Sequence, residues 1–301
     1  MVVMENITSS TLARLKNKSK DQGVPFQQLL NLFCQEEFIR RLSESNYRES
    51  LILKGGYLLY SISRFTTRTT IDADYLLNNY SNELHAIEKL VKEIISQPSK
   101  NGFIEFQIRS LYEISEAKEY HGVRVNLIGN IGTTRTPFSI DFGVGDVIEP
   151  SPVLRTLPVL LQEFVEPTVL TYSLESTVAE KIDAIISLME ATSRMKDFYD
   201  IYYLAITFDF EGRTLQKAIF RTLSNRGTPY KKDSIAVIGR LANDTQIKKR
   251  WDNFCKKVLK YNLDFIVVIN TIIDFTLLPY QAIFEESEFF GSWSYRDRKY
   301  V

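Results

Sequence analysis

The sequence predicts an α/β N-terminal domain with a mixed sheet, followed by a mainly α-helical C-terminal domain. Two observations carry that expectation. Through the first half of the chain the hydrophobic period alternates between that of a half-buried strand and that of a helix. Beyond four prolines, Pro150, Pro152, Pro158 and Pro167, almost every periodic stretch is helical. A boundary near Val165 gives domains 1–165 and 166–301, and 301 residues at 44% hydrophobic content suffice for a core in each.

Each element has its own signal. From Pro25 to Leu42, Phe26, Leu29, Leu30, Leu32, Phe33, Phe38 and Ile39 recur at helical spacing and read as one amphipathic helix. LILKGG, Leu51 to Gly56, is a short apolar strand stopped by two glycines, and YLLYSI then starts a helix. A strand follows over Ile71–Leu77, then a helix over Asn82–Ser96 built on Leu84, Ile87, Leu90, Val91 and Ile94. FIEFQIRSLYEI, VRVNLIGNIG and TPFSIDFGVG alternate as half-buried strands do. In the second half a helix runs from Leu174 to about Met189, and SRMKDFYDIYYLA forms another. The apolar run Phe265–Leu278 is shorter than the roughly 20 residues of a membrane span and carries Asn270 and Asp274, so it reads as a buried helix. The last sixteen residues, from Glu286, have no clear period and are expected to pack late or fray.

Composition narrows the function classes. The N-terminus, MVVMENITSSTLARLKNKSK, lacks the apolar core of a secretion signal, and the sparse cysteines fit a reducing compartment. Two cysteines, Cys34 and Cys255, and two histidines, His85 and His121, are isolated, which suggests neither disulfides nor a zinc site. A metal here would be bound by oxygen. Lys and Arg number 37 and Asp and Glu 37, yet Gly212–Lys260 holds thirteen Lys and Arg against three Asp. That asymmetry reads either as solvated helix faces or as a surface for a polyanion.

The candidate chemistry centres on RTTIDADYL, residues 68–76. Side chains two apart in a strand share a face, so Asp72 and Asp74 stand together. Two like charges so placed repel unless a cation lies between them. Mg²⁺ is held in this way, by one or two carboxylates together with substrate phosphates. The other reading is an edge strand carrying solubilising charges. Context supports the metal: Asp141 in SIDFGVGD falls in a strand able to lie alongside, as a second-line ligand. The turn Lys54, Gly55 and Gly56 lets phosphate oxygens approach the main chain.

The order LKGG, then Arg68, Thr70, Asp72 and Asp74 as R-x-T-x-D-x-D, then IDFGVGD, VAEKIDAI and SRMKDFYDIYYL resembles the AbiEii toxins of type IV toxin–antitoxin and abortive-infection systems, relatives of the MenT-type toxins. The match spans about Leu51 to Leu204. It implies a cytoplasmic bacterial nucleotidyltransferase of the DNA polymerase β-like superfamily that uses an NTP, GTP by preference, and Mg²⁺ or Mn²⁺. The fifteen residues Tyr57–Ile71 between glycines and acids exceed that superfamily's usual spacer.

By the same resemblance, Asp72, Asp74, Lys181 and Asp197 are catalytic. Asp72, Asp74 and Asp141 take the metal. Lys54, Gly55, Gly56, Thr70, Lys181, Arg194 and Lys196 bind nucleotide. Asp197 either accepts the proton of the attacking hydroxyl or orients that hydroxyl, and Asp200 buttresses its helix. The basic C-terminal half, with Tyr230, Trp251 and Phe254 for stacking, fits an RNA acceptor. The resemblance implies the 3′ end of tRNA, and as partner a DNA-binding antitoxin encoded nearby that acts without a stable complex. A monomer with no membrane association is expected. Transfer to a small molecule or protein, and nucleotide or RNA binding without chemistry, are the alternatives.

Overall fold

The computed structural model describes residues 2–99, 101–114 and 122–301. The chain forms two compact units, Met1–Gly145 with Val153–Thr171, and Asp146–Pro152 with Tyr172–Val301. Val165, the expected boundary, lies inside the first unit, and the chain enters the second for good at Tyr172.

The first unit runs α1 (Val2–Gln22), α2 (Phe26–Glu44), β1 (Leu51–Lys54), α3 (Gly55–Ile62), β2 (Asp72–Leu77), α4 (Leu84–Ile95), β3 (Ile104–Ile114), β4 (Gly122–Ile131), β5 (Thr134–Gly143), β6 (Val153–Thr156) and β7 (Thr168–Thr171). Its seven strands form one mixed sheet in the order β3-β4-β5-β2-β1-β7-β6. β2 runs parallel to β5 and β1 parallel to β7, while the other pairs are antiparallel.

Strand alternation puts Ala73 and Tyr75 of β2, Ile140 and Phe142 of β5, and Val123 and Val125 of β4 in the core. Tyr75 stacks on Phe142 at 5.9 Å and meets Phe38 of α2 edge-on at 6.0 Å. The opposite face carries the half-exposed Asp72 and Asp74, with Ser139, Asp141, Arg124 and Asn126 beside them. β2 begins at Asp72 rather than Ile71, because the chain bends at Ile71, whose side chain is exposed.

α2 differs from its amphipathic reading. From Leu29 to Leu42 every residue is buried, including Glu36, Glu37, Arg40 and Arg41. Those charges neutralise one another at helical spacing: Arg40 pairs with Glu36 and Glu37, and Arg41 with Glu37 at 3.0 Å. Arg41 also donates to the Ile104 carbonyl at 2.6 Å, and Ser99 and Asn101 donate to Glu37 at 2.6 and 2.7 Å.

The second unit contains α5 (Leu174–Leu188), α6 (Met195–Ala205), β8 (Phe210–Glu211), α7 (Gly212–Asn225), α8 (Ser234–Ile238), α9 (Thr245–Phe254), α10 (Phe265–Phe284), β9 (Ser292–Ser294) and β10 (Lys299–Tyr300). Ser173, Asp244 and Asp264 cap α5, α9 and α10 with their side-chain oxygens.

α10 is longer than the sequence reading allows: it continues through Pro279 to Phe284 and so reaches the length of a membrane span. Half of it is buried in the unit, on α6, α7 and α8. Proline inside a helix removes the donor that its i−4 carbonyl expects. Here that carbonyl belongs to Phe275, and the Tyr300 hydroxyl donates to it at 2.5 Å. The C-terminal residues are therefore built in rather than frayed: β9 joins β8 and β10 in a small sheet, and buried Trp293 donates to the Ala205 carbonyl at 2.7 Å.

Candidate active site

The acidic pair lies on the central strand of the first unit. In register, Lys54 of β1 faces Asp74, Asp74 faces Asp141 of β5, and Asp72 faces Ser139. The chain turns from β1 into α3 at Gly55, whose φ of +69° a residue with a side chain adopts at a cost. A Cβ built on Gly55 would lie 2.1 Å from an Asp74 carboxylate oxygen. A Cβ on Gly56 would lie 2.7 Å from the Thr70 hydroxyl and 3.5 Å from an Arg68 guanidinium nitrogen. The two glycines thus let Asp74, Thr70 and Arg68 close on the start of α3, where helical N–H groups point outward.

Thr70 lies outside the strand. It sits buried just ahead of β2, and its hydroxyl accepts the Asp72 backbone N–H at 3.3 Å. The long spacer is taken up by α3 and a turn in which Arg64 and Phe65 have positive φ.

Asp141 reaches the same row, but its carboxylate has a partner. Arg124 of β4, directly opposite it in register, donates through Nε and Nη2 to the two oxygens at 2.7 and 2.6 Å. This bidentate pair joins two adjacent strands, and nothing in the sequence pattern marks Arg124 for it. Among the described residues no three His, Cys, Asp or Glu side chains converge as a metal cage. What the acids offer is two hard carboxylates on one half-exposed face beside a turn without Cβ atoms. That donor set fits Mg²⁺ or Mn²⁺ when substrate oxygens complete the shell.

The second unit gathers Lys181, Arg194 and Asp197. Lys181 on α5 is buried, with its ammonium 2.9 Å from Asp197 and 2.7 Å from Asp200, both on α6. Arg194 Nε donates to the other Asp197 oxygen at 2.5 Å. Burial by itself would raise the Asp197 carboxyl, but the Lys181 and Arg194 charges outweigh it and hold the group down at about 2. Asp197 is thus an anion at any physiological pH, with both oxygens engaged. Lys196 is exposed.

A second charged knot went unread in the sequence. Arg226 contacts Asp146 at 2.7 Å, Glu180 at 3.1 Å and Asp183 at 3.1 Å. Asp146 belongs to IDFGVGD, and Glu180 and Asp183 flank Lys181 in VAEKIDAI. Three acids in those motifs needing one counter-charge is the signal that was available.

Arg226 therefore leaves the nucleic-acid surface expected of Gly212–Lys260. Arg213, Arg221, Lys232 and Arg240 also pair with glutamates. The three proposed stacking rings are committed to packing: Trp251 is buried on Phe254 and Phe265 and donates to the Leu263 carbonyl at 2.7 Å, and Tyr230 lies on Tyr280 and Phe284. Lys248, Lys249, Lys256 and Lys257 stay exposed on α9 and the π-helical turn Cys255–Leu259 that follows. Arg250 of α9 donates to the Thr192 carbonyl at 2.7 Å, tying this helix to the loop that leads into Arg194.

Cys34 and Cys255 are buried and unpaired, and burial pushes the Cys34 thiol up to about 12. His85 lies on the surface and His121 outside the described residues. A cavity of about 1070 Å³ in the first unit, bordered by Arg48, Asn78, Ser99 and Leu170, includes none of the candidate site residues.

A family model described as nucleotidyl transferase AbiEii toxin, type IV TA system, matches residues 37–281. Among solved structures, MenT4, nucleotidyltransferase toxin Rv2826c from Mycobacterium tuberculosis H37Rv, is similar with a TM-score of 0.57 at 14% identity, over 89% of this chain and 88% of that one. A putative nucleotidyltransferase from H. pylori has a TM-score of 0.49 at 10% identity, over 87% of this chain and 99% of that one. JHP933 from Helicobacter pylori has a TM-score of 0.48 at 11% identity, over 86% of this chain and 94% of that one. No curated protein matches.

Proposed function

The chain belongs to the AbiEii nucleotidyltransferase toxins of type IV toxin–antitoxin systems, and from that premise we propose that it transfers a nucleoside monophosphate from an NTP, GTP by preference, to the 3′ end of tRNA. Transfer there blocks translation and growth, as in phage defence by abortive infection. The observation that carries the reading is the Asp72 and Asp74 pair on one sheet face, with Asp74 closed against Gly55.

Asp72 and Asp74 would hold Mg²⁺ or Mn²⁺, which when bound would neutralise the triphosphate and activate its α-phosphorus. Gly55 and Gly56 leave main-chain N–H groups at the start of α3 open to phosphate oxygens. Lys54, Thr70 and Arg194 add polar contacts to the nucleotide, and exposed Lys196 a longer-range charge. Lys181 supplies a cation to the triphosphate from a fixed position. Asp197, with its low pKa, is a weak proton acceptor; it positions Lys181 and Arg194, and Asp200 shares that work. The RNA follows Lys248, Lys249, Lys256 and Lys257 through its phosphates. The neutralising partner is a DNA-binding antitoxin encoded nearby that forms no stable complex, and the enzyme works as a cytoplasmic monomer.

Incubation with α-labelled NTPs, Mg²⁺ and total tRNA is expected to label RNA in wild type and not in Asp72→Asn. Label appearing on protein or a small compound instead would transfer the reading to those acceptors, and nucleotide binding without any labelled product would reduce the protein to a binding module. Reversing Lys248 and Lys249 to Glu is expected to weaken RNA binding and flatten its salt dependence by about two units of slope, as loss of two phosphate contacts does.

A further inference from the structure

The row of paired residues across the sheet of the first unit reads Arg124, Asp141, Asp74 and Lys54 on β4, β5, β2 and β1. Neighbouring strands lie about 4.8 Å apart. Asp72, Asp74 and Asp141 would thus crowd three negative charges onto one face. Arg124 answers that crowding on the β4 side with two hydrogen bonds to a single carboxylate, at 2.7 and 2.6 Å. Both oxygens of Asp141 are engaged, while the Arg124 side chain is 35% exposed and that of Asp141 only 17%. The guanidinium borders solvent, with Tyr112 of β3 opposite it in register as its other neighbour, whereas Asp141 is fixed in mid-strand.

We propose that Arg124 is a positioning residue that competes with the divalent cation for Asp141. While Arg124 holds Asp141, the cation has Asp72 and Asp74 alone. With the guanidinium swung off and its two hydrogen bonds released, Asp141 would be available as the third carboxylate, one cation replacing another on it with no covalent bond broken. Affinity for the bare metal is thereby kept low by the protein's own side chain, so that firm binding depends on oxygens brought by the nucleotide. This inference rests on the reading of Asp72 and Asp74 as a metal site and adds to it a residue that no motif in the sequence singles out.

The test is Mn²⁺ binding to the full chain without nucleotide, read from the electron paramagnetic resonance of free Mn²⁺. Arg124→Gln is expected to bind Mn²⁺ at least about tenfold more tightly than wild type, with Arg124→Lys between them because it keeps the charge but loses the two-point grip. In an Asp141→Asn background, Arg124→Gln is expected to change nothing. An equal gain in that background would make Arg124 a general field effect and overturn the proposal, as would equal Mn²⁺ binding by wild type, Arg124→Gln and Arg124→Lys. If that equal binding is still abolished by Asp72→Asn, the metal site stands and only the role of Arg124 falls. If neither wild type nor Arg124→Gln binds Mn²⁺, the metal-site reading falls and takes this proposal with it. Circular dichroism and thermal unfolding of each variant separate misfolding from altered binding, and Arg124→Lys provides the readout if Arg124→Gln does not fold.

Discussion

The Asp72 and Asp74 pair and Asp197 are the same residue type in opposite circumstances. The pair stands half exposed on a strand, placed by backbone features: the alternation of β2 and the left-handed turn at Gly55. Asp197 is buried, and its position is set by side chains, the Lys181 ammonium and the Arg194 guanidinium. The first arrangement keeps its carboxylates within reach of solvent. The second consumes its charge internally and fixes a lysine in place. A carboxylate in a motif therefore indicates what a site is for only when its counter-charge is known.

Four experiments break or sharpen that contrast. Asp72→Asn is expected to lower nucleotide transfer about a thousandfold, roughly 4 kcal/mol of barrier, while leaving the thermal midpoint unchanged or raised as repulsion eases. A large fall in the midpoint would mean that the pair is structural after all. Asp197→Ala should do the reverse in proportion, costing about 3 kcal/mol of stability in urea unfolding. That is the lower end for stripping a partner from a buried charge, because Asp200 still faces Lys181.

Gly55→Ala forces a left-handed residue and a contact with Asp74, so it should cost about 2 kcal/mol and lower activity together, whereas Gly227→Ala, at a positive φ with open space around it, should cost only the strain. Acid provides the mildest probe. The folded value of about 2 for Asp197 lies below the ordinary 3.8, so its contribution is complete above pH 4 and lost as the pH falls towards 2. The loss amounts to about 2 kcal/mol in wild type and should be missing from the acid unfolding curve of Asp197→Ala.

Where a structural demand is local, the sequence discloses it. Gly55 and Gly56 mark the turn, the i, i+2 spacing of Asp72 and Asp74 marks the shared face, and alternation marks β4 and β5. Demands met across the fold left no such trace. Arg124 and Asp141 find each other only through strand register, and Arg226 serves three acids from distant segments. The buried Glu36, Glu37, Arg40 and Arg41 imitate the polar side of a surface helix because they satisfy one another at the same spacing a solvated face would show. Trp251 looked like a base-stacking ring because composition records an aromatic among lysines and not which way it turns. Pro279 can sit inside α10 because the hydroxyl that repairs the break comes from Tyr300, outside the helix, where no local pattern shows it.

The place of β1 between β2 and β7 has a consequence in time. On the ribosome β2 emerges soon after β1, but β7, which closes the other side of β1, ends 117 residues after Lys54 (171 − 54). At about 5–20 residues per second that gap lasts roughly 6 to 23 seconds. Throughout it the strand beside the one that carries Asp72 and Asp74, with Leu51, Ile52 and Leu53 all bound for the core, presents an open edge that another chain can join. Until β7 arrives, the folding of this sheet therefore depends on whatever shelters that edge.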